Sequence, residues 1–135
     1  MTPSTPQQLT ASARATRTLA HAPYSKFRAG AAVLADDGTT APGVIVENVS
    51  LGLAMCAERV ALFSTVARGA RPTALALVAP RTQGDMTWPC GACLQVALEL
   101  VGPDLPVYVS GIDDDSPVEE STVAELLPMG PHIER

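Results

Sequence analysis

The chain has 135 residues and a formal net charge of −5; 47% of its residues are hydrophobic and only 4% are aromatic. This length is sufficient for one domain over residues 1–135 with a core that needs no disulfides, and the composition favours a globular α/β protein over a disordered one. The negative charge argues against a nucleic-acid partner, and no apolar run reaches the roughly 18 residues of a membrane span. The N-terminal segment lacks the basic start and apolar core of a signal peptide, so we expect a cytoplasmic protein without a membrane partner.

Hydrophobic spacing and turn residues divide the first half of the chain into four predicted elements. They are a helix over 5–20, strands over 29–34 and 43–47, and a helix over 55–68. Pro23 lies beyond the end of the first helix, and Asp37-Gly38 is typical of the tight turn of a hairpin. Gly69 is expected to end the second helix.

Four further elements are predicted in the second half: a strand over 74–79, a helix over 91–101, a strand over 106–110 and a short helix over 122–127. The 74–79 segment, ALALVA, is apolar throughout and should therefore be buried on both faces. Thr122 and Glu125 have the spacing of a capping box. The acidic segment IDDDSPVEE lacks the spaced ligands of a calcium loop, so we interpret it as a solvated loop. This order of elements predicts a mixed sheet sandwiched by helices.

The helices predicted over 55–68 and 91–101 carry apolar residues on most of their circumference. These are Val60, Leu62, Phe63 and Val66 in the first helix, and Leu94, Val96, Leu98 and Leu100 in the second. A helix that is apolar all round must be covered on more than one side. In so small a domain another subunit could supply that cover, so we expect a homo-oligomer.

All three cysteines lie at predicted helix starts, which indicates a metal site. Cys56 begins one helix, whereas Cys90 and Cys93 begin another with the spacing that places both sulfurs on one side. Unpaired backbone N–H groups at a helix start favour thiolate over thiol. Two helix starts that meet would form a three-thiolate Zn²⁺ site, and three protein ligands leave the fourth position open, as in catalytic zinc sites.

Two neighbouring residues complete the predicted chemistry. Glu58, two residues after Cys56, could accept a proton from water at the open position and return it to a substrate, acting first as general base and then as general acid. Three thiolates on Zn²⁺ leave a net negative charge, which opposes ionisation of that water. Arg59 follows directly and could offset this charge.

Other interpretations of the cysteines remain open. The segment WPCGAC is superficially similar to a redox CxxC motif, but Pro89 precedes the first cysteine instead of lying between the two, and Cys56 then has no task. The three thiols could also be inert core residues, although this leaves their clustering unexplained. A non-catalytic zinc module used for assembly is a further alternative, which gives Glu58 no purpose.

Four segments together resemble one enzyme family. APYSKFRAGAAVLADDG, GVIVENVSLG, CAERVALF and PCGACLQV are similar, in order and spacing, to the small homotetrameric zinc-dependent cytidine deaminases, over roughly residues 20 to 130. The resemblance implies a three-layer α/β/α fold around a five-stranded mixed sheet, one Zn²⁺ per subunit, and active sites shared between subunits of a homotetramer. It also implies hydrolytic deamination of cytidine and deoxycytidine to uridine and deoxyuridine, with release of ammonia, as in pyrimidine salvage.

The resemblance assigns residues to the metal end of the site. It makes Cys56, Cys90 and Cys93 the zinc ligands and Glu58 the proton shuttle that touches N3 of the ring. Arg59 would temper the charge of the thiolates.

The resemblance also assigns the substrate contacts. The backbone N–H of Ala57 would bind O2 of the ring, and the carbonyl of Trp88 would accept a hydrogen bond from the departing amine. Phe27 would pack on the pyrimidine, and Glu47 would bind the ribose 3′-hydroxyl.

The sugar-binding segment departs from the family pattern. Ile45 stands where the family usually has asparagine and cannot hydrogen-bond a sugar; Leu51 replaces a tyrosine and Leu94 an arginine. The aromatic residue usual after LLP near the C-terminus is replaced by Met129-Gly-Pro131. Cytidine or deoxycytidine is the predicted substrate because Phe27 and Glu47 are retained, and another aminopyrimidine or a modified nucleoside such as blasticidin S is the alternative.

Overall fold

A computed structural model of the protein describes residues 5–133. In chain order its elements are α1 (Pro6–Thr16), β1 (Gly30–Ala35), β2 (Thr40–Val44), α2 (Ala57–Ala67), β3 (Pro72–Val78), α3 (Gly91–Leu100), β4 (Pro106–Ser110), β5 (Val118–Thr122) and α4 (Val123–Leu126). Short 3₁₀ helices occupy Arg17–Leu19 and Leu51–Leu53. Across residues 5–133, the helices lack the length and apolar character needed to cross a bilayer.

The strands form one mixed sheet in the order β2-β1-β3-β4-β5. The neighbours β3 and β4 are parallel and are connected through α3, whereas the other neighbouring pairs are antiparallel. Helix α1 packs on one face of the sheet, and α2, α3 and α4 pack on the other. The predicted three-layer α/β/α fold with a five-stranded mixed sheet is therefore confirmed.

Strand β3 lies at the centre of the sheet and is buried on both faces, as its unbroken apolar sequence predicts. Leu75 and Leu77 pack in the cluster beneath α2 and α3, whereas Ala74, Ala76 and Val78 pack in the cluster beneath α1. The alternation follows from the two-residue period of side chains along a strand. The two helices that begin at the cysteines, α2 and α3, and helix α1 are thus held on opposite sides of one rigid layer.

Two strands differ from the prediction by more than two residues in their extent. Strand β2 begins at Thr40 and ends at Val44, and beyond it Val46 forms only isolated bridges, to His21 and Met55. Strand β5 covers 118–122, overlaps residues 118–120 of the segment interpreted as a solvated loop, and pairs with β4. The acidic residues of β5 are exposed at the edge of the sheet, where a strand needs no apolar alternation.

Hydrogen-bonded caps define the ends of two helices. Thr5 and Gln8 form a reciprocal capping box at the start of α1, which ends at Thr16 and continues only as a 3₁₀ turn instead of reaching position 20. One half of the capping box predicted for the last helix is confirmed, because Thr122 Oγ1 accepts a hydrogen bond from the Glu125 N–H at 3.2 Å. The Glu125 carboxylate accepts instead from the hydroxyls of Ser121 and Thr122. The Thr5 and Thr122 side chains satisfy N–H groups that have no partner within their helices.

Helices α2 and α3 bury only part of their apolar surface within this chain. Leu62, Leu94 and Leu98 are buried, whereas Phe63 is 45% exposed and Val66 is 47% exposed. The 3₁₀ helix before α2 also presents apolar side chains to solvent, since Leu51 is 84% exposed and Leu53 is 68% exposed. Helix α2 and the 3₁₀ helix that precedes it thus both leave apolar side chains exposed.

Candidate active site

The starts of α2 and α3 bring the three cysteine thiols together. Cys56 and Cys90 are the N-caps of α2 and α3, and Cys93 lies in the first turn of α3. The Cys90 sulfur lies 3.9 Å from that of Cys56 and 3.6 Å from that of Cys93, and all three sulfurs lie within 4.8 Å of one another. Sulfurs bound about 2.3 Å from a tetrahedral zinc lie about 3.8 Å apart. The cluster therefore has the chemistry and spacing for Zn²⁺, with the fourth position left free.

The electrostatics of the cluster favour a thiolate at Cys56. The pKa of this thiol is lowered to about 5, chiefly by the nearby Cys93 thiol and further by Arg59 and Cys90. Arg59 Nη2 donates to the Cys56 sulfur at 3.4 Å. The pKa of Cys93 is raised, chiefly by the neighbouring Cys56 thiolate and also by desolvation. A metal ion would displace the thiol protons and allow all three thiols to ionise.

Arg59 is held against the thiols by the same helix turn that carries Cys56. Its hydrogen bond to the Cys56 thiolate raises the pKa of the guanidinium above its ordinary value. The Nε atom is buried and has no hydrogen-bond partner within residues 5–133. The side chain thus places a fixed positive charge beside the sulfur cluster.

Glu58 is a buried acidic residue in the first turn of α2. It is only 4% exposed. Burial raises the pKa of its carboxyl to about 7, and the nearby Cys56 thiolate also acts to raise it. A carboxyl group with a pKa near neutrality can both accept and donate a proton at physiological pH.

A pocket adjoins the sulfur cluster, and most of the predicted substrate-contact residues line it. Its lining includes Cys56, Ala57, Glu58 and Cys90 from the two helix starts. The remaining wall is almost entirely apolar and includes Phe27, Ile45 and Trp88, with Ala29, Leu77 and Ala79 from the ends of β1 and β3. The chain therefore combines an acid–base group, a metal site and a flat apolar side chain around one cavity.

Glu47 lies outside this lining and contacts the loop that leads to Phe27. Its Oε1 accepts hydrogen bonds from the backbone N–H groups of Tyr24 and Ser25 at 3.0 and 3.2 Å, and its Oε2 accepts one from the Ser25 hydroxyl. The same hydroxyl accepts a hydrogen bond from the Phe27 N–H at 3.0 Å. Glu47 is thus connected through Ser25 to the backbone of an aromatic residue in the pocket, whereas its predicted contact with ribose stays a prediction.

Sequence reasoning missed four residues of the pocket wall. Ala29, Leu77 and Ala79 are ordinary core residues by type, so no local pattern distinguishes them from the rest of the sheet. Thr87 also lines the pocket, and its hydroxyl donates to the Pro80 carbonyl at 2.6 Å. Only the position of Thr87 next to Trp88 could have drawn attention to it.

Comparison with known proteins agrees with this site. Residues 3–109 match the family model described as the cytidine and deoxycytidylate deaminase zinc-binding region. A cytidine deaminase of Sporosarcina psychrophila is 46% identical over 123 residues, which are 90% of this chain and 88% of that protein. A cytidine deaminase of Mycobacterium tuberculosis is 45% identical over 112 residues, which are 81% of this chain and 76% of that protein.

Solved structures give the same result. The crystal structure of a cytidine deaminase from Burkholderia pseudomallei is similar with a TM-score of 0.85 and 43% identity, covering 94% of this chain and 99% of that one. On its family match and these relatives, the chain belongs to the cytidine and deoxycytidylate deaminase zinc-binding family.

Proposed function

We propose that this protein is a zinc-dependent cytidine deaminase that hydrolyses cytidine and deoxycytidine to uridine and deoxyuridine with release of ammonia. The observation that carries the proposal is the buried Glu58 carboxyl beside a three-thiol cluster with an open position, in one pocket with Phe27. A structural zinc site would use four protein ligands and no acid–base group. The cellular role we propose is pyrimidine salvage in the cytoplasm.

The cysteine thiolates would hold one Zn²⁺ per subunit. When bound, Zn²⁺ acts as a Lewis acid that makes water nucleophilic near neutral pH. Arg59 offsets part of the thiolate charge through its contact with Cys56, and this offset favours that acidity.

Glu58 is the proposed proton carrier. With a pKa near 7, its carboxylate accepts a proton from water as the water oxygen bonds to C4, and returns that proton to N3 of the pyrimidine. It then carries the proton of the new C4 hydroxyl to the amine, so that the C4–N bond breaks, ammonia leaves and C4 becomes a carbonyl. Burial excludes competing bulk water from the carboxyl and strengthens its electrostatic interaction with the ring.

Backbone groups and one aromatic ring orient the base. The N–H of Ala57 lies in the first turn of α2, where it has no partner within the helix, and we assign it to O2 of the ring. The carbonyl of Trp88 accepts a hydrogen bond from the amine at C4, and Phe27 packs on the face of the pyrimidine. These contacts would place C4 against the open metal position.

We expect the ribose to be bound less strongly than in a deaminase that has asparagine at the position of Ile45. Ile45 lines the pocket and offers no hydrogen bond, so one contact to ribose is lost, at a cost of about 1 kcal/mol. Glu47 is the remaining candidate for the 3′-hydroxyl, and binding there would compete with its contacts to Ser25 and Tyr24. This altered wall is the reason to keep blasticidin S or another aminopyrimidine as the alternative substrate.

We also propose a homotetramer whose active sites are completed by neighbouring subunits. The support is the exposed apolar side chains of α2 and of the 3₁₀ helix before it: Phe63, Val66, Leu51 and Leu53. Burying such side chains against other subunits removes apolar area from water. Because Leu51 belongs to the segment between Ile45 and Cys56, a neighbouring subunit that covers it would lie beside the pocket.

The test is ammonia release by the zinc-loaded protein with cytidine, deoxycytidine, cytosine and blasticidin S in parallel, for the wild type and Glu58→Gln. We expect turnover of the two nucleosides, and a loss of at least about 100-fold in kcat in the variant, because positioned proton transfer contributes about 100- to 10,000-fold. Zinc content, measured by atomic absorption, should stay at one ion per subunit in both proteins.

Three other outcomes would contradict parts of the proposal. Turnover of blasticidin S alone would show that the proposed substrate is wrong, and it would leave the proposed deamination chemistry unchanged. Full activity in Glu58→Gln would remove the assigned role of that carboxyl. Bound zinc without turnover of any of the four compounds would favour a non-catalytic zinc module.

A further inference from the structure

A close backbone approach joins β2 to the first turn of α2. A Cβ atom placed on Gly43 would lie 2.2 Å from the carbonyl oxygen of Ala57 and 2.7 Å from the backbone nitrogen of Ala61. These two atoms belong to residues one helical turn apart, so the helix backbone itself rests on the strand at this point. Ala57 and Ala61 are both fully buried. A side chain at position 43 therefore has no flexible neighbour that could move aside.

The segment that would have to move carries the reacting groups. Cys56 is the N-cap of α2, and Glu58 follows one residue after Ala57 in the first turn. Ordinary van der Waals contact begins at about 3.4 Å, so a contact of 2.2 Å requires a displacement of about 1.2 Å. The three atoms nearest the added Cβ all belong to α2, so the clash displaces the start of α2 directly and reaches the sulfurs of α3 only through the packing of α3 on α2. The spacing between Cys56 and Cys90 would change.

Metal and catalytic sites tolerate much smaller shifts. Metal–ligand distances are fixed to within about 0.2 Å, and a misplacement of about 1 Å in an active site can reduce the rate by about 100-fold. From the close approach and these tolerances, we infer that Gly43 is a positioning residue for the active site: the absence of its side chain sets the distance of the α2 start from the α3 start. It acts through Cys56 and Glu58 and does not itself touch substrate.

The chain offers a matched control on the other face of the sheet. A Cβ atom on Gly30 would lie 2.3 Å from the carbonyl oxygen of Ala13 and 2.7 Å from the backbone nitrogen of Arg17. The clash is of the same kind and size, but it displaces α1 and the turn that follows it, which carry none of the assigned site residues. Comparison of Gly43→Ala with Gly30→Ala thus separates a general loss of protein stability from a change in the geometry of the site residues.

The experiment compares Gly43→Ala and Gly30→Ala with the wild type after replacement of zinc by Co²⁺. The visible absorption of Co²⁺ bound to thiolates reports the geometry of its ligands, whether or not the protein deaminates cytidine, so failure of the proposed function would leave this readout intact. We expect altered or weakened Co²⁺ bands in Gly43→Ala and a fall in kcat of about 100-fold. Gly30→Ala should show a similar loss of Tm with the wild-type spectrum and kcat.

Two results would overturn the inference. One is a wild-type Co²⁺ spectrum and kcat in Gly43→Ala, and the other is an equal loss of the spectrum in Gly30→Ala. Should Gly43→Ala fail to fold, Ala61→Val takes its place, because Ala61 Cβ would lie only 3.0 Å from the added atom and larger groups there crowd the same contact from the helix side. Wild-type bands in folded Ala61→Val would then count against the inference.

Discussion

Glu47 illustrates how one side chain can organise a loop that carries a proposed substrate contact, Phe27. Its carboxylate binds the Ser25 hydroxyl across 22 residues of chain, and Ser25 in turn binds the Phe27 backbone. The pKa of Glu47 is lowered below its ordinary value, chiefly by this hydroxyl and further by the N–H groups of Ser25 and Tyr24. The carboxylate form therefore favours the folded loop.

The stabilising effect of this contact should depend on pH. A group with a depressed folded pKa stabilises the protein above its unfolded pKa, here 4.5, and loses that effect as pH falls through the lower folded value. We expect Ser25→Ala to lower the free energy of unfolding at pH 7, and its difference from the wild type to shrink as the pH falls below 4.5. Urea unfolding at several pH values measures this.

An exposed serine provides the control for that titration. Ser50 precedes a 3₁₀ helix and makes no capping hydrogen bond through its side chain. Ser50→Ala should give a difference from the wild type that does not vary with pH. A pH-independent difference for Ser25→Ala as well would show that the Glu47 charge has no part in the contact.

At the residue scale, the metal end of the site was predictable and the loop contacts were not. The metal-ligand candidates could be recognised in the sequence by their chemical type and by their positions at helix starts. The structure brings all three of them together: Cys56, Cys90 and Cys93. The bond between Ser25 and Glu47 joins two common surface residues, so nothing local in the sequence distinguishes it. The close approach at Gly43 could not be recognised from the sequence either, because a glycine in a strand has several possible explanations.

At the scale of elements, α1 depends on its first turn. The capping box of Thr5 and Gln8 satisfies backbone N–H groups at a helix start that has no acidic residue in its first turn. We expect Thr5→Ala to lower the free energy of unfolding by about 1 kcal/mol, the usual cost of losing an N-cap. Urea unfolding at fixed protein concentration measures this difference.

A second threonine serves as the comparison for the cap. Thr18 is exposed, and its hydroxyl donates to the Ala15 carbonyl at 3.2 Å beyond the end of α1. Thr18→Ala should have a smaller effect because the carbonyl can bond to water instead. Equal losses in the two variants would argue that the capping box contributes nothing specific to α1.

The elements that sequence predicted least well are those that depend on tertiary pairing. Strand β3 is recognisable because burial on both faces requires an apolar sequence. Strand β5 was missed because Glu119 and Glu120 are exposed, and only pairing with β4 makes this segment a strand. The bounds of β2 shifted for the same reason, since its register with β1 decides where the ladder ends.

At the scale of the whole molecule, the exposed apolar residues of α2 should control assembly. Phe63 is 45% exposed and lies beside Val96 and Leu100 of α3. We expect Phe63→Glu to reduce the molar mass in solution, because a buried charge without a partner is strongly unfavourable at an interface. Light scattering coupled to size-exclusion chromatography measures the mass.

The matched control places the same charge on the opposite face of the sheet. Gln7 is exposed on α1, so Gln7→Glu should leave the mass unchanged. A wild type of monomer mass would contradict the proposed tetramer directly. An unchanged assembly in Phe63→Glu would place the interface elsewhere on the surface.

The two outer strands of the sheet have a consequence for solubility. Within residues 5–133, strands β2 and β5 each leave one edge without a neighbouring strand, and such edges can recruit strands from other molecules into growing aggregates. Glu119 and Glu120 are exposed on β5, and Pro42 is exposed on β2, where it offers no N–H group. The acidic residues that make β5 difficult to recognise as a strand from the sequence thus also protect the sheet against edge-to-edge aggregation.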